Sequence, residues 1–166
     1  MAEMDDDAKS LKQRASGEKG LHRALFKKLR GMKPARVDGL ITSRHDRLME
    51  QADCLACANC CRSISPALND RDVDRMAKAL KMKPSEVVTR FLRIDSDGDY
   101  VFRTQPCPLL GADNYCAIYE ARPRACREYP HTDRSRQHQL LDITFRNIAI
   151  CPVVYDLVTE LREELS

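Results

Sequence analysis

Tryptophan is absent from this chain, and only four phenylalanines and five tyrosines stand among its 166 residues. A core built on several large aromatic anchors is therefore excluded. Despite 43% apolar content, charged residues reach 32%, so a thin core is expected, with bound metal supplying part of its stability as in small metallo-domains. Long apolar runs are also missing. No stretch approaches the roughly 20 residues needed to span a bilayer, and the opening MAEMDDDAKS is acidic and leads into no signal-type apolar run. A cytoplasmic, reducing location is expected, which disfavours structural disulfides. The six glycines are scattered and form neither a GxGxxG turn nor a Walker loop, so no phosphate or adenosine cradle is legible. A radical-type CxxxCxxC run is missing as well.

What the chain does have is cysteine. Cys54, Cys57, Cys60 and Cys61 form a CxxCxxCC run, and Cys107, Cys116, Cys126 and Cys151 follow at a distance. Such density within eight residues points to thiolate metal chemistry, with enough partners for one or two four-cysteine sites. Adjacent Cα atoms lie about 3.8 Å apart, closer than the roughly 4.4–6.8 Å of ordinary disulfides, so Cys60 and Cys61 should not pair with each other. If the run were one helix, Cys54, Cys57 and Cys61 would share a face and Cys60 would turn about 100° away. That favours two sites fed by one segment, or a polynuclear site with bridging thiolates.

Zinc and iron–sulfur clusters both accept four thiolates, and the spacing does not decide between them. CxxCxxC matches the start of a bacterial ferredoxin run, and Cys107 and Cys151 are each followed by proline, but the immediate continuation of that motif is missing. Arg62, Arg122, Arg124 and Arg127 flank the cysteines and are candidates to offset thiolate charge, against an ordinary role as solvated surface. None of His22, His45, His131 and His138 has zinc-finger spacing; His131 is the best substitute ligand.

Length predicts about one domain's worth of chain, read as a basic arm over residues 1–36 and a cysteine-cluster domain over 37–166. The arm holds ten Lys or Arg against five Asp or Glu. Within it Leu21, Leu25 and Leu29 recur beside Phe26 and predict a short basic amphipathic helix ending at Gly31. Residues 12–36 are thus a candidate surface for a protein, RNA or anionic-membrane partner, or simply a helix that docks its leucines and solvates its charges.

Asn69 or Asp70 should cap a helix burying Val73, Met76, Ala77 and Leu80, and Pro84 should open another through Val87, Val88 and Phe91. Asp97-Gly98 predicts a two-residue hairpin turn between Arg93-Ile94 and Tyr100-Val101-Phe102. Asp95, Asp97 and Asp99 fail the spacing of a calcium loop. Pro152 should begin a final helix lined by Val154, Leu157, Leu161 and Leu165, with Cys151 at its mouth. The expected fold class is α+β but mainly α: a small, irregular, metal-stabilised domain of short helices with a minor β-hairpin.

The segments CLACANCC, CPLL, CAIYEARPRACREYP and Cys151-Pro152 together resemble the CxxCxxCC cysteine-cluster family, labelled a zinc- or iron-chelating domain. The resemblance runs from Cys54 through Cys151 and matches at every cysteine. It implies metal chelation by Cys54, Cys57, Cys60, Cys61, Cys107, Cys116, Cys126 and Cys151, with zinc or an iron–sulfur cluster as the cofactor. Flagellin lysine methylases carry a similar cluster, which implies an alternative role as a metal-dependent component of lysine N-methyl transfer. The leading expectation is a metal-binding protein with a structural, metal-handling or electron-carrying role. Enzymatic activity is left open: Glu120, Arg122, Glu128 and Tyr129 are candidates to support chemistry near the thiolates, or simply cap and bridge a short helix.

Overall fold

The computed structural model describes residues 2–166, with side chains from Asp7 onward. In chain order the helices are α1 (Ala2–Gly17), α2 (Lys19–Arg30), α3 (Pro34–Glu50), α4 (Cys54–Cys57), α5 (Asn59–Ser63), α6 (Asp70–Leu80), α7 (Pro84–Phe91), α8 (Arg124–Arg127), α9 (Gln137–Asn147) and α10 (Pro152–Glu164). Two short strands, β1 (Leu92–Ile94) and β2 (Tyr100–Phe102), pair antiparallel. The protein is therefore mainly α with a minor β-hairpin, as its patterning predicts. Among the described residues no helix is long and apolar enough to cross a membrane.

The chain divides into two compact units, one made of the residues through Asp53 together with Pro130–Ser166, the other of Cys54–Tyr129. In the first, α2, α3, α9 and α10 enclose a core that includes Phe26, Leu29, Val37, Ile41, Val154, Leu157 and Leu161. The inward face of α2 is His22, Leu25, Phe26 and Leu29, the i, i+3, i+4, i+7 set that a 3.6-residue repeat brings to one side. Leu21, predicted to share that face, is instead 55% exposed, because a strict four-residue step drifts around the helix. Lys27, Lys28 and Arg30 occupy the last turn of α2, where the helix dipole favours cations. Phe26 meets Phe145 edge-on at 5.1 Å, one of few aromatic contacts available to a chain so poor in rings.

Pro152 opens α10 with Cys151 as its N-cap, and Val154, Leu157, Val158 and Leu161 are buried, matching the predicted helix. Arg44 and Arg47 reach Glu160 at 3.3 and 2.6 Å, linking α3 and α10 at their solvent edge.

The second unit has its own core, in which Val73, Met76 and Ala77 of α6 pack with Val87, Leu92, Phe102, Leu109 and Ile118. A capping box begins α6: the Asp72 N–H donates to Asn69 Oδ1 at 3.0 Å and the Asn69 N–H to Asp72 Oδ2 at 3.1 Å. The helix stops where Lys81 turns left-handed at φ 54°, and Pro84 starts α7 at its first turn.

The hairpin falls where it was predicted, but its turn is longer than the two-residue Asp97-Gly98 reading. Ile94 pairs with Tyr100, and the Asp95 N–H donates to the Asp99 carbonyl at 3.0 Å, leaving Ser96, Asp97 and Gly98 at the tip. Gly98 has φ +86°, a conformation suited to glycine when a three-residue loop closes. The Asp95 Oδ1 accepts the N–H groups of Asp97 at 2.9 Å and Asp99 at 3.0 Å. That carboxylate is engaged in shaping the turn.

Candidate metal centre

Seven of the eight cysteines lie in the second unit, and Cys151 lies in the first. None of the eight is in a disulfide; Cys54 is exposed and the other seven are partly buried. Cys151 packs against the helical core at the start of α10, its N–H donating to the Asn147 carbonyl at 2.8 Å.

The dense run is two helical turns with a break between them, departing from the single helix considered above. Cys54 and Cys57 are on α4, Cys60 and Cys61 on α5, and between them Ala58 adopts the left-handed conformation at φ 43°. This turn costs a non-glycine residue roughly 1–2 kcal/mol, and Ala58 is buried. Its consequence is directional: the phase that would have put Cys54, Cys57 and Cys61 on one helical face is lost at the break.

Released from that face, Cys61 meets the later cysteines. The Cys107 N–H donates to the Cys61 carbonyl at 2.8 Å. Downstream, the chain doubles back through an isolated Leu110–Cys116 bridge, with the Ala117 N–H on the Leu109 carbonyl at 2.9 Å, and Cys107 and Cys116 pack against the same apolar cluster. Cys126 is on α8, whose first residue, Arg124, donates its N–H to Asp72 Oδ1 at 2.9 Å. Asp72 is buried, so one carboxylate both caps α6 and fixes the segment carrying Cys126.

The thiols influence one another's ionisation. Cys61 is drawn down to about 7, first by a hydrogen bond with Cys60 and then by the Arg122 and Arg62 guanidinium groups. Burial first, and the Cys61 charge after it, push Cys107 up to about 11 and Cys126 up to about 12. Cys116 is raised by burial and then by Cys61. Burial, with the Cys61 charge adding to it, thus favours the protonated form of these three thiols.

Among the described residues, no three His, Cys, Asp or Glu side chains stand already gathered at metal-holding geometry. The donor set nevertheless fits a thiophilic metal: four mutually interacting sulfurs on anchored backbone, three of them protonated until a cation competes for the sulfur. Metal binding to thiols is expected to release protons in this way.

Two of the four flanking arginines face the thiolates. Arg122 lies 3.6 Å above the Tyr119 ring and donates Nε–H to the Tyr119 carbonyl at 2.8 Å, so its guanidinium is held in place by stacking and hydrogen bonding. Arg62 donates to the Asn114 side-chain oxygen and, at 3.5 Å, to the Cys57 carbonyl. Asn114 also donates to the Ala56 carbonyl at 3.3 Å, tying the Leu109–Ala117 turn to α4. Arg124 instead pairs with Glu128 at 2.7 Å across α8, the bridging alternative considered for that segment.

His131 and the other histidines belong to the first unit. His22 is buried there, and His45 Nδ1 meets Thr132 Oγ1 at 2.7 Å. Leu25 and Leu29 of the basic segment are likewise spent on their own unit's core.

Tyr119, Asn114 and Asp72 were missed in reading the sequence. Asp72 had a signal, its place three residues after the cap Asn69. Asn114 and Tyr119 had none, since their roles arise from contacts distant along the chain.

A family model, "CxxCxxCC: Putative zinc- or iron-chelating domain", matches residues 53–146. That span exceeds half of the chain and includes the second unit with its seven cysteines. The protein belongs to the CxxCxxCC family. Comparison with curated proteins and with solved structures gives no match to either.

Proposed function

We propose that this protein is a metal-binding module that holds zinc or an iron–sulfur cluster through cysteine thiolates in a reducing, cytoplasmic setting. The observation that carries this reading is the convergence of Cys61, Cys107, Cys116 and Cys126 from three separate chain segments, beside the fixed cation of Arg122. Cys54, Cys57 and Cys60 are the remaining thiols of the same unit and of the span that the family model matches. When bound, the metal would supply either cross-links between loops too thinly packed to hold themselves, or an electron-accepting centre.

The chain's own residues have definite tasks in this reading. Cys61, drawn down to about 7, presents a thiolate near neutral pH, and the buried Cys107, Cys116 and Cys126 lose their protons against a bound cation. Arg122 and Arg62 offset the excess negative charge that four thiolates leave on either cofactor.

Metal analysis and the absorption spectrum of protein purified without oxygen, before any chelator or affinity metal touches it, test the proposal. Stoichiometric zinc in a colourless sample assigns the structural role. A brown sample with matched iron and sulfide assigns the cluster and raises electron transfer. Protein that retains neither metal would overturn the reading.

A further inference from the structure

We infer that the outward face of α2 is a docking site for the phosphate backbone of a nucleic-acid duplex, held by charge without reading of its sequence. This face lies outside residues 53–146, the span that the family model matches.

Between Ala8 and Arg36 the chain carries ten Lys or Arg and a single carboxylate, Glu18. That carboxylate is committed within its own unit, accepting hydrogen bonds from Tyr155 at 3.2 Å and from Arg162 at 2.9 Å. Two cations of α2 are engaged as well, Arg30 with Asp142 at 2.5 Å and Lys28 with the Leu165 carbonyl. Lys19, Arg23 and Lys27 are exposed, and among the described residues no carboxylate pairs with any of them. They recur every four residues, so they line one side of the helix about 6 Å apart along its axis. Like charges at that spacing destabilise a helix, a cost that a bound polyanion reverses. In the same unit α3 shows the opposite arrangement, since its Arg44 and Arg47 meet Glu160 of α10.

The shape of the face selects the partner. Gly20 and Ala24 are exposed beside the cation row, with open space over Gly20, so a polyanion can come close to the helix backbone. An amphipathic helix binds a membrane by burying its apolar face. Here His22, Leu25, Phe26 and Leu29 are enclosed in the core, and only Leu21 is exposed among the large apolar side chains of α2. Single strands are held by stacking bases on aromatic rings, and the outward face of α2 has none. Three cations on a ring-free face suit the phosphates of a duplex, contacts that position a backbone and carry no sequence information.

The test uses the full chain purified without oxygen. Its binding to a fluorescein-labelled, mixed-sequence DNA duplex of roughly 20 base pairs is followed by anisotropy as salt rises from about 50 to about 200 mM. Three phosphate contacts at about −0.9 each predict a slope of log K against log salt near about −2.7, a fall of about 40-fold over that range. In Arg23→Gln/Lys27→Gln the slope should shrink to about −0.9, a fall of about 3.5-fold. Arg71→Gln/Lys78→Gln removes the same charge from exposed positions of α6 and should keep the slope of the unaltered chain. Failure of the unaltered chain to bind the duplex at the lowest salt would overturn the inference, as would an equal loss of slope in both double variants. Binding to phosphatidylserine vesicles without binding to the duplex would assign the face to a membrane and overturn it too.

Discussion

At the residue scale, a cluster in the helical unit gives a pH dependence of stability separate from the thiols. Burial pushes His22 below its ordinary range, against the pull of Glu18, whose Oε2 is 3.4 Å from His22 Nε2. Glu18 is itself held down, first by the hydrogen bond from Arg162 at 2.9 Å. Both folded-state values lie below the unfolded ones, so stability should fall as pH drops. For His22 the loss begins near the unfolded value of about 6.5, where the unfolded chain takes up a proton that the folded chain refuses; for Glu18 it begins only below about 4.3. Melting temperatures between pH 7.5 and 5 should decline in the unaltered protein and flatten in His22→Leu. An unchanged slope in the variant would remove His22 from this account. The metal centre shows the limit of residue-level legibility. All its cysteines were plain in the sequence, but the break within the dense run was not, because alanine is the strongest helix former and nothing in CLACANCC marks Ala58 as the residue that turns left-handed.

At the scale of elements, those with local punctuation were readable. The cap at Asn69, the prolines at positions 84 and 152, and the apolar faces of α6, α7 and α10 all appear where patterning put them. By contrast, α9 was not legible, since Gln137, Thr144 and Asn147 take buried positions on it and blur the apolar period. Gln137 is held there by donating Nε2–H to the carbonyls of His131 and Arg134, at 2.7 and 2.8 Å, bonds that no local pattern announces. The hairpin tip was misread for a similar reason, because the Asp95 carboxylate gathers the N–H groups of Asp97 and Asp99. Since the Asn69–Asp72 box also positions Arg124, its loss should be felt at both ends. Asn69→Ala is expected to cost about 1 kcal/mol, measured by denaturant unfolding, and to weaken metal retention at Cys126. Full stability and full retention would show that the box is dispensable.

At the scale of the whole molecule, two apolar cores divide the work. The helical unit encloses its own leucines and valines, whereas the cysteine-bearing unit relies on a smaller cluster. Removing metal with a chelator should therefore raise amide hydrogen exchange across Cys54–Tyr129 while leaving the buried turns around Val37–Ile41 and Val154–Leu161 protected. Uniform loss of protection would mean that the metal holds both cores. One further consequence lies in the order of the chain. The helical unit is discontinuous: α3 precedes the cysteine unit, while α9 and α10, which pack on α3, follow. During synthesis seven of the eight thiols, Cys54 to Cys126, therefore leave the ribosome while the apolar face of α3 still waits for α9 and α10. Closure of the helical unit therefore follows the synthesis of all seven.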